Sequence, residues 1–221
     1  MIAPNMGTML AYIFIEASLG KRDLKKMLNE YIDSTFNSIS VDGDTSTSDT
    51  VMLFSTGLKN PRMIINDNLL NKISEKIYEV MFSLSKQIVS DGEGISKLIE
   101  VTVSNAKNKT QASKVAFSIA ESTLVKTAIA GEDANWGRIV MAIGKADKHI
   151  EQNKIIIKFD NFIVAKRGAI YKKIDLIKLN RYMKNKIIKI NVNLGIDKYM
   201  KRVWSSDLTH AYIDINADYR S

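Results

Sequence analysis

Apolar residues recur at Leu69, Leu70, Ile73, Ile77, Val80, Met81, Leu84 and Ile88, at intervals dominated by three and four. That spacing lines one face of an α-helix, predicted over residues 67–89. A helix with a single apolar stripe gains most of its stability from the layer that covers the stripe, so this segment demands a packed second layer. Shorter helices are predicted over 22–36, where Leu24, Met27, Leu28, Tyr31, Ile32 and Phe36 share a face, and over 110–121, with Thr110 as N-cap and Ala112, Val115, Ala116 and Ile119 inward. A further helix is predicted over 135–145, with Asp133 near its start. Strand patterns fall at 98–103, 155–159, 162–165, 187–192 and 211–215, and 9–15 reads as a buried strand. Short strands among long amphipathic helices predict an α/β chain built as a layered α+β sandwich, its sheets beneath its helices. Motif density and charge balance change near residues 147–153, which suggests a weak boundary between a region 1–146 and a smaller α/β region 147–221.

Composition narrows the function classes. The 221 residues are 45% hydrophobic, enough for a sizeable core. There are no cysteines, which excludes disulfides and thiolate metal sites and fits a reducing cytoplasm. No apolar run approaches the length of a membrane-spanning helix. Net charge is +8, concentrated in residues 145–202, which hold 16 Lys/Arg against 5 Asp/Glu, whereas residues 1–144 hold 15 against 16. Such a segment suits a nucleic-acid surface, but no aromatic RNA-binding signature, zinc-finger spacing or helix-turn-helix punctuation accompanies it, and a solvated face is the preferred reading. His149 and His210 stand alone, so neither suggests a metal site or a triad. The loop Val41-Asp42-Gly43-Asp44-Thr45-Ser46-Thr47-Ser48-Asp49 places oxygen ligands at alternate positions, yet fails as a calcium loop: its sixth position is Thr47 and its twelfth Leu53.

One short motif carries chemistry. In Pro4-Asn5-Met6-Gly7-Thr8-Met9-Leu10, cleavage of the Gly7–Thr8 bond would leave threonine at a new N-terminus, where its own α-amine takes up the hydroxyl proton and activates a poor nucleophile. The motif does not stand alone. It is followed by FNSISVDGDTSTSDTV at 36–51, SDGEGISKLIEVTV at 90–103, STLVKTAIAGEDANWGRIVMAIGKA at 122–146 and WSSDLTHAYIDINADYRS at 204–221. These five blocks, in order, resemble the C-terminal half of the ornithine acetyltransferase, or glutamate N-acetyltransferase, family, known as ArgJ.

The resemblance implies an N-terminal-nucleophile architecture, cut by the precursor itself between Gly7 and Thr8, in which region 1–146 bears the nucleophile and 147–221 completes the substrate site. Thr8 would carry the acetyl group from N2-acetylornithine to glutamate. Glu93, in Asp91-Gly92-Glu93-Gly94, matches the family's active-site glutamate, and Asn216 and Ser221 match its C-terminal substrate contacts. From the residues alone, Asp-Gly-Glu-Gly reads as a turn and a terminal serine as a disordered end. The family usually has alanine at the position of Gly7 and often ends in threonine where Ser221 stands. The resemblance implies no cofactor and no metal, with acetyl-CoA as an optional co-substrate. Its partners would be the N-terminal half of the precursor, which carries the oxyanion-hole donors, and then a heterotetramer of two such pairs; neither nucleic acid nor membrane is implied. A related N-terminal-nucleophile amidohydrolase or aminopeptidase, and a non-catalytic basic binding module, are the alternatives.

Overall fold

The computed structural model describes residues 9–44, 48–58 and 65–218. The chain divides into two compact units, residues 1–88 and 89–221. The division falls after Ile88 and not at 146–147, where the sequence suggests a boundary. Strands from both sides of 146–147 share a single sheet.

In the first unit, β1 (Leu10–Ile15) and β2 (Thr50–Ser55) pair in parallel, Leu10 opposite Thr50 through Ile15 opposite Ser55. The predicted helices follow as α1 (Lys21–Tyr31) and α2 (Asp67–Ser90). Helix α1 stops five residues short of its predicted end. The Thr35 hydroxyl donates to the carbonyl of Tyr31 at 2.8 Å and that of Ser34 to the same oxygen at 3.1 Å, and the chain continues as two 3-10 turns, Ile32–Ser34 and Phe36–Ser38. Hydroxyls competing for a terminal carbonyl in this way favour a helix end. The core gathers Ala11, Ile13, Met27, Phe36, Ile77 and Met81.

The sequence at 9–15 reads as a buried strand, and β1 is buried on one face only. Side chains alternate along a strand, and Ala11 and Ile13 point into the core whereas Leu10, Tyr12 and Phe14 are exposed, Phe14 by 65%. Met52 and Phe54 of β2 are exposed as well, and Phe14 and Phe54 stack with ring centroids 4.9 Å apart.

The second unit contains a six-stranded sheet, in spatial order β6-β5-β4-β7-β3-β8. Its strands are β3 (Leu98–Ala106), β4 (Ile156–Phe159), β5 (Phe162–Lys166), β6 (Ala169–Ile170), β7 (Ile187–Asn193) and β8 (Tyr199–Ser206). The central pair β3–β7 is parallel and the other pairs are antiparallel. Helix α3 (Lys109–Ala120) lies on β3 and β8, with α4 (Thr123–Ala130) and α5 (Trp136–Ala146) beside it, and α6 (Leu176–Tyr182) precedes β7. The expected inward residues Ala112, Val115, Ala116 and Ile119 are all buried. The N-cap of α3 is Asn108 and not Thr110: the Asn108 side chain accepts the Gln111 N–H at 2.8 Å, and Thr110 sits inside the first turn.

Alternation along the strands gives this sheet an apolar face of Ile99, Val101, Val103, Ile188, Ile190, Val192 and Ile157. Lys158, Lys189 and Arg202 occupy the intervening positions, so part of the basic segment lies on the other, polar face. There Arg202 Nε approaches Glu100 at 3.4 Å.

The strand expected at 211–215 is a helix, α7 (His210–Asp218). Alternation over Ala-Tyr-Ile-Asp-Ile imitates a strand, but it reports no buried face: none of the nine residues is buried, and Ile213 and Ile215 are 54% and 46% exposed.

Candidate functional site

Two of the site residues expected from the sequence meet. The side-chain amide of Asn216 donates to Glu93 Oε2 at 2.9 Å and to the carbonyl of Tyr212, one helical turn back, also at 2.9 Å. Glu93 sits in the turn between α2 and β3, closed by Gly92 N–H to Val89 O at 3.2 Å and Ile95 N–H to Gly92 O at 3.4 Å. Both side chains are exposed. A carboxylate and an amide held together at a surface offer a negative charge and both hydrogen-bond polarities to a polar ligand.

The turn and α7 approach closely because residue 94 has no side chain. Gly94 takes φ +63°, and a Cβ there would overlap the backbone of Ala211 and Tyr212, 2.8 Å from Tyr212 Cα. The Thr209 hydroxyl also donates to Gly94 O. Asp207, 2% exposed, accepts from Ser96 N–H at 2.8 Å, Ser96 Oγ–H at 2.5 Å and Lys97 N–H at 3.0 Å. Neither Asp207 nor Thr209 stands out in the sequence as a site residue. The available signal was an Asp and a Thr, both backbone-bonding types, spaced two apart directly after a strand. Beside α7 lies an apolar cavity of about 340 Å³ lined by Thr127, Ala130, Gly131, Leu208, His210 and Ile213 among others.

Gly7, Thr8 and Ser221 lie outside the described residues, as do Thr45, Ser46 and Thr47 of the Asp-rich loop. Met9, the residue after Thr8, is held on both sides of its backbone: its N–H donates to Asp49 Oδ1 at 2.9 Å and its carbonyl accepts Thr50 N–H at 2.8 Å. The other Asp49 oxygen, Oδ2, is buried with no hydrogen-bond partner among the described residues. Among the described residues no cluster of three His, Asp or Glu side chains is placed to hold a metal ion.

Three groups outside the pair are electrostatically perturbed. The Gln111 side chain donates to Asp147 at 2.8 Å and the His149 N–H at 2.9 Å, holding that carboxyl below its ordinary value. Asp175, N-cap of α6, is lowered chiefly by the Lys178 N–H. Burial raises the Tyr182 phenol, with Asp160 and Glu100 adding to the effect, while its oxygen accepts the Lys189 N–H at 2.8 Å.

Known proteins resemble this chain in sequence and in fold. The ArgJ family pattern matches residues 1–221. The chain is 44% identical over 223 aligned positions to the Caulobacter vibrioides protein named Arginine biosynthesis bifunctional protein ArgJ, covering 100% of this chain and 55% of that one. The Zymomonas mobilis protein of the same name is 45% identical, with 100% and 54% coverage. The crystal structure of Arginine biosynthesis bifunctional protein ArgJ from Bacillus halodurans matches with a TM-score of 0.87 at 37% identity, covering 96% of this chain and 100% of that chain. The chain spans about half the length of the curated relatives it matches. Helices and mixed sheets in this arrangement define an α+β protein with the ArgJ fold, as the layered reading of the sequence expected. The chain belongs to the ArgJ family.

Proposed function

We propose that this chain is the nucleophile-bearing half of a glutamate N-acetyltransferase that moves an acetyl group from N2-acetylornithine to glutamate. The observation that carries the reading is the Asn216–Glu93 hydrogen bond, which joins two residues picked out separately by the family resemblance. In the proposed first step the Thr8 hydroxyl attacks the acetyl carbonyl and the Thr8 α-amine takes its proton, then passes it to the departing nitrogen as the tetrahedral adduct collapses, which releases ornithine and leaves acetyl-threonine. In the second, the amine of glutamate attacks that ester, N-acetylglutamate leaves and the hydroxyl is restored. Glu93 and Asn216 hold the amino-acid part of the substrate, with Ser221 completing that side. Asp49 Oδ2, a buried acceptor on the side chain that holds Met9 N–H, supports a role in receiving the amine freed at Thr8. The word bifunctional in the relatives' names supports acetyl-CoA as a second donor.

The partner proposed is the N-terminal part of the relatives, with a heterotetramer of two cleaved pairs as the full assembly. Two features of the first unit support such a partner. A parallel strand pair is normally covered on both faces, and one face of β1–β2 carries exposed Leu10, Tyr12, Phe14, Met52 and Phe54. A two-stranded sheet is also marginal without further strands or packing. A cytoplasmic location is proposed on the family and on the absence of cysteine.

The test is to co-express this chain with the N-terminal half of a family member and supply acetylornithine and labelled glutamate. Labelled acetylglutamate above that of a Thr8→Ala control is the expected result. Free acetate without acetylglutamate would replace the transferase by a hydrolase, and no product above the control would end the reading.

A further inference from the structure

We infer that Asp207 is a positioning residue: it fixes the chain around the Glu93 turn to the chain leading into α7, so that Glu93 and Asn216 are held at hydrogen-bond distance. Both partners of that pair are exposed. A single hydrogen bond between exposed flexible side chains is weak in water, because water competes for both groups and each side chain gives up rotamer freedom. The pair therefore persists only if the two backbones are already in place. Asp207 does this from a buried position. One carboxylate takes three donors from consecutive residues 96 and 97, and its own N–H donates to Lys97 O at 3.0 Å, so the two segments are tied in both directions.

The tie continues in order toward the site. Two residues beyond Asp207, Thr209 donates to Gly94 O. Beyond that, the bare Gly94 Cα lies against Ala211 and Tyr212, and one turn later Asn216 reaches Glu93. Successive contacts thus run from 97 back to 93 on one segment and from 207 forward to 216 on the other. The order also separates the residues that hold from those that would meet substrate: Asp207 is buried and its carboxylate bonds Ser96 and Lys97, whereas Glu93 and Asn216 are exposed. That this pair faces an acetylated amino acid rests on the function proposed above; the positioning does not.

The test follows the Asn216 side-chain amide in ¹H–¹⁵N spectra of the 221-residue chain, its signals assigned from Asn216→Ala and their uncoupled position from Glu93→Ala. Asp207→Asn, which replaces one acceptor oxygen by an amide, is expected to move the Asn216 signals to the Glu93→Ala position. It should also speed amide exchange at Ser96 and Lys97 by at least about tenfold. Ser205→Ala is the control for stability alone. Ser205 is equally buried in β8 and donates to Ala120 O at 2.9 Å, away from the turn, so its loss is expected to lower the melting temperature and leave the Asn216 signals in place. Should Asp207→Asn not fold, Ser96→Ala, which removes a single donor, is expected to shift the signals part of the way in the same direction. Unmoved Asn216 signals in folded Asp207→Asn, or in Ser96→Ala where the first variant is lost, would overturn the proposal, as would an equal shift in Ser205→Ala. None of these readings requires acetyl transfer, so the positioning and the proposed function fail separately.

Discussion

Asn216 donates to Glu93 at 2.9 Å across 123 positions of sequence, and nothing in the local pattern of either residue requires them to meet. Their meeting depends on α7 being a helix, on Gly94 having no side chain, and on Asp207 and Thr209 tying the two segments together.

If the pair holds the amino-acid part of the substrate, its loss affects turnover far more than folding. Glu93→Gln and Asn216→Ala are each expected to lower kcat/KM for acetylornithine by about tenfold to a thousandfold in the two-part enzyme. Both residues are exposed, so unfolding free energy should change by no more than about 0.5 kcal/mol. Steady-state kinetics beside urea titrations check both halves of this expectation.

Gly94→Ala separates geometry from chemistry. The new methyl meets backbone of α7, and φ +63° is a strained conformation for alanine. Stability should fall by about 1–3 kcal/mol, and the Glu93–Asn216 contact should be lost with it. Urea denaturation together with the Asn216 side-chain amide signal would measure this.

Two titrating groups set opposite limbs of the stability profile. Asp147 is lowered from 3.8, first by the Gln111 hydrogen bond and then by the His149 N–H. Its contribution is therefore complete above its unfolded value and disappears as pH falls through the lower folded value; Asp147→Asn should flatten the acid limb. Tyr182 is raised from 10.0, mainly by burial. Its contribution is complete below the unfolded value and is lost as pH rises toward the folded one, so Tyr182→Phe should flatten the alkaline limb. The same substitution leaves the Lys189 N–H without its 2.8 Å acceptor and should cost about 1 kcal/mol at neutral pH. Thermal melts from pH 3 to 11 would show all of these effects.

The open face of β1–β2 gives a prediction about assembly. Phe54→Glu places a charge in an apolar patch that now includes the stacked Phe14–Phe54 pair. The variant chain should fold, because Phe54 is 38% exposed and outside the core, yet lose co-purification with the N-terminal half. Undiminished co-purification would place the partner elsewhere.

Segments with a strong period were legible from the sequence. The stripe from Leu69 to Ile88 gave α2 almost to the residue, and the alternating runs at 98–103 and 187–192 gave β3 and β7. The failures have physical causes. β8 buries a run of residues at its C-terminal end, Val203 to Ser206, and so lacks the alternation of a half-buried strand. Helix α4 is eight residues long, and its Ser122 N-cap was its clearest signal. Helix α7 carries a strand-like alternation of Ala211, Ile213 and Ile215, yet none of these residues is buried, so the pattern marks no buried face. Glu93 and Asn216 were legible through the family resemblance; Asp207 was not, because it acts through backbone amides 110 and 111 positions away.

The most direct test of the central claim is the mass of the Thr8-bearing peptide after the assembled two-part enzyme is mixed with acetylornithine and no glutamate, then quenched in acid. The account predicts a peptide that begins at Thr8 and carries one acetyl group, which disappears when glutamate is added as acetylglutamate forms. Acetylglutamate formed at full rate while Thr8 stays unmodified, or stays joined to Gly7, would contradict it.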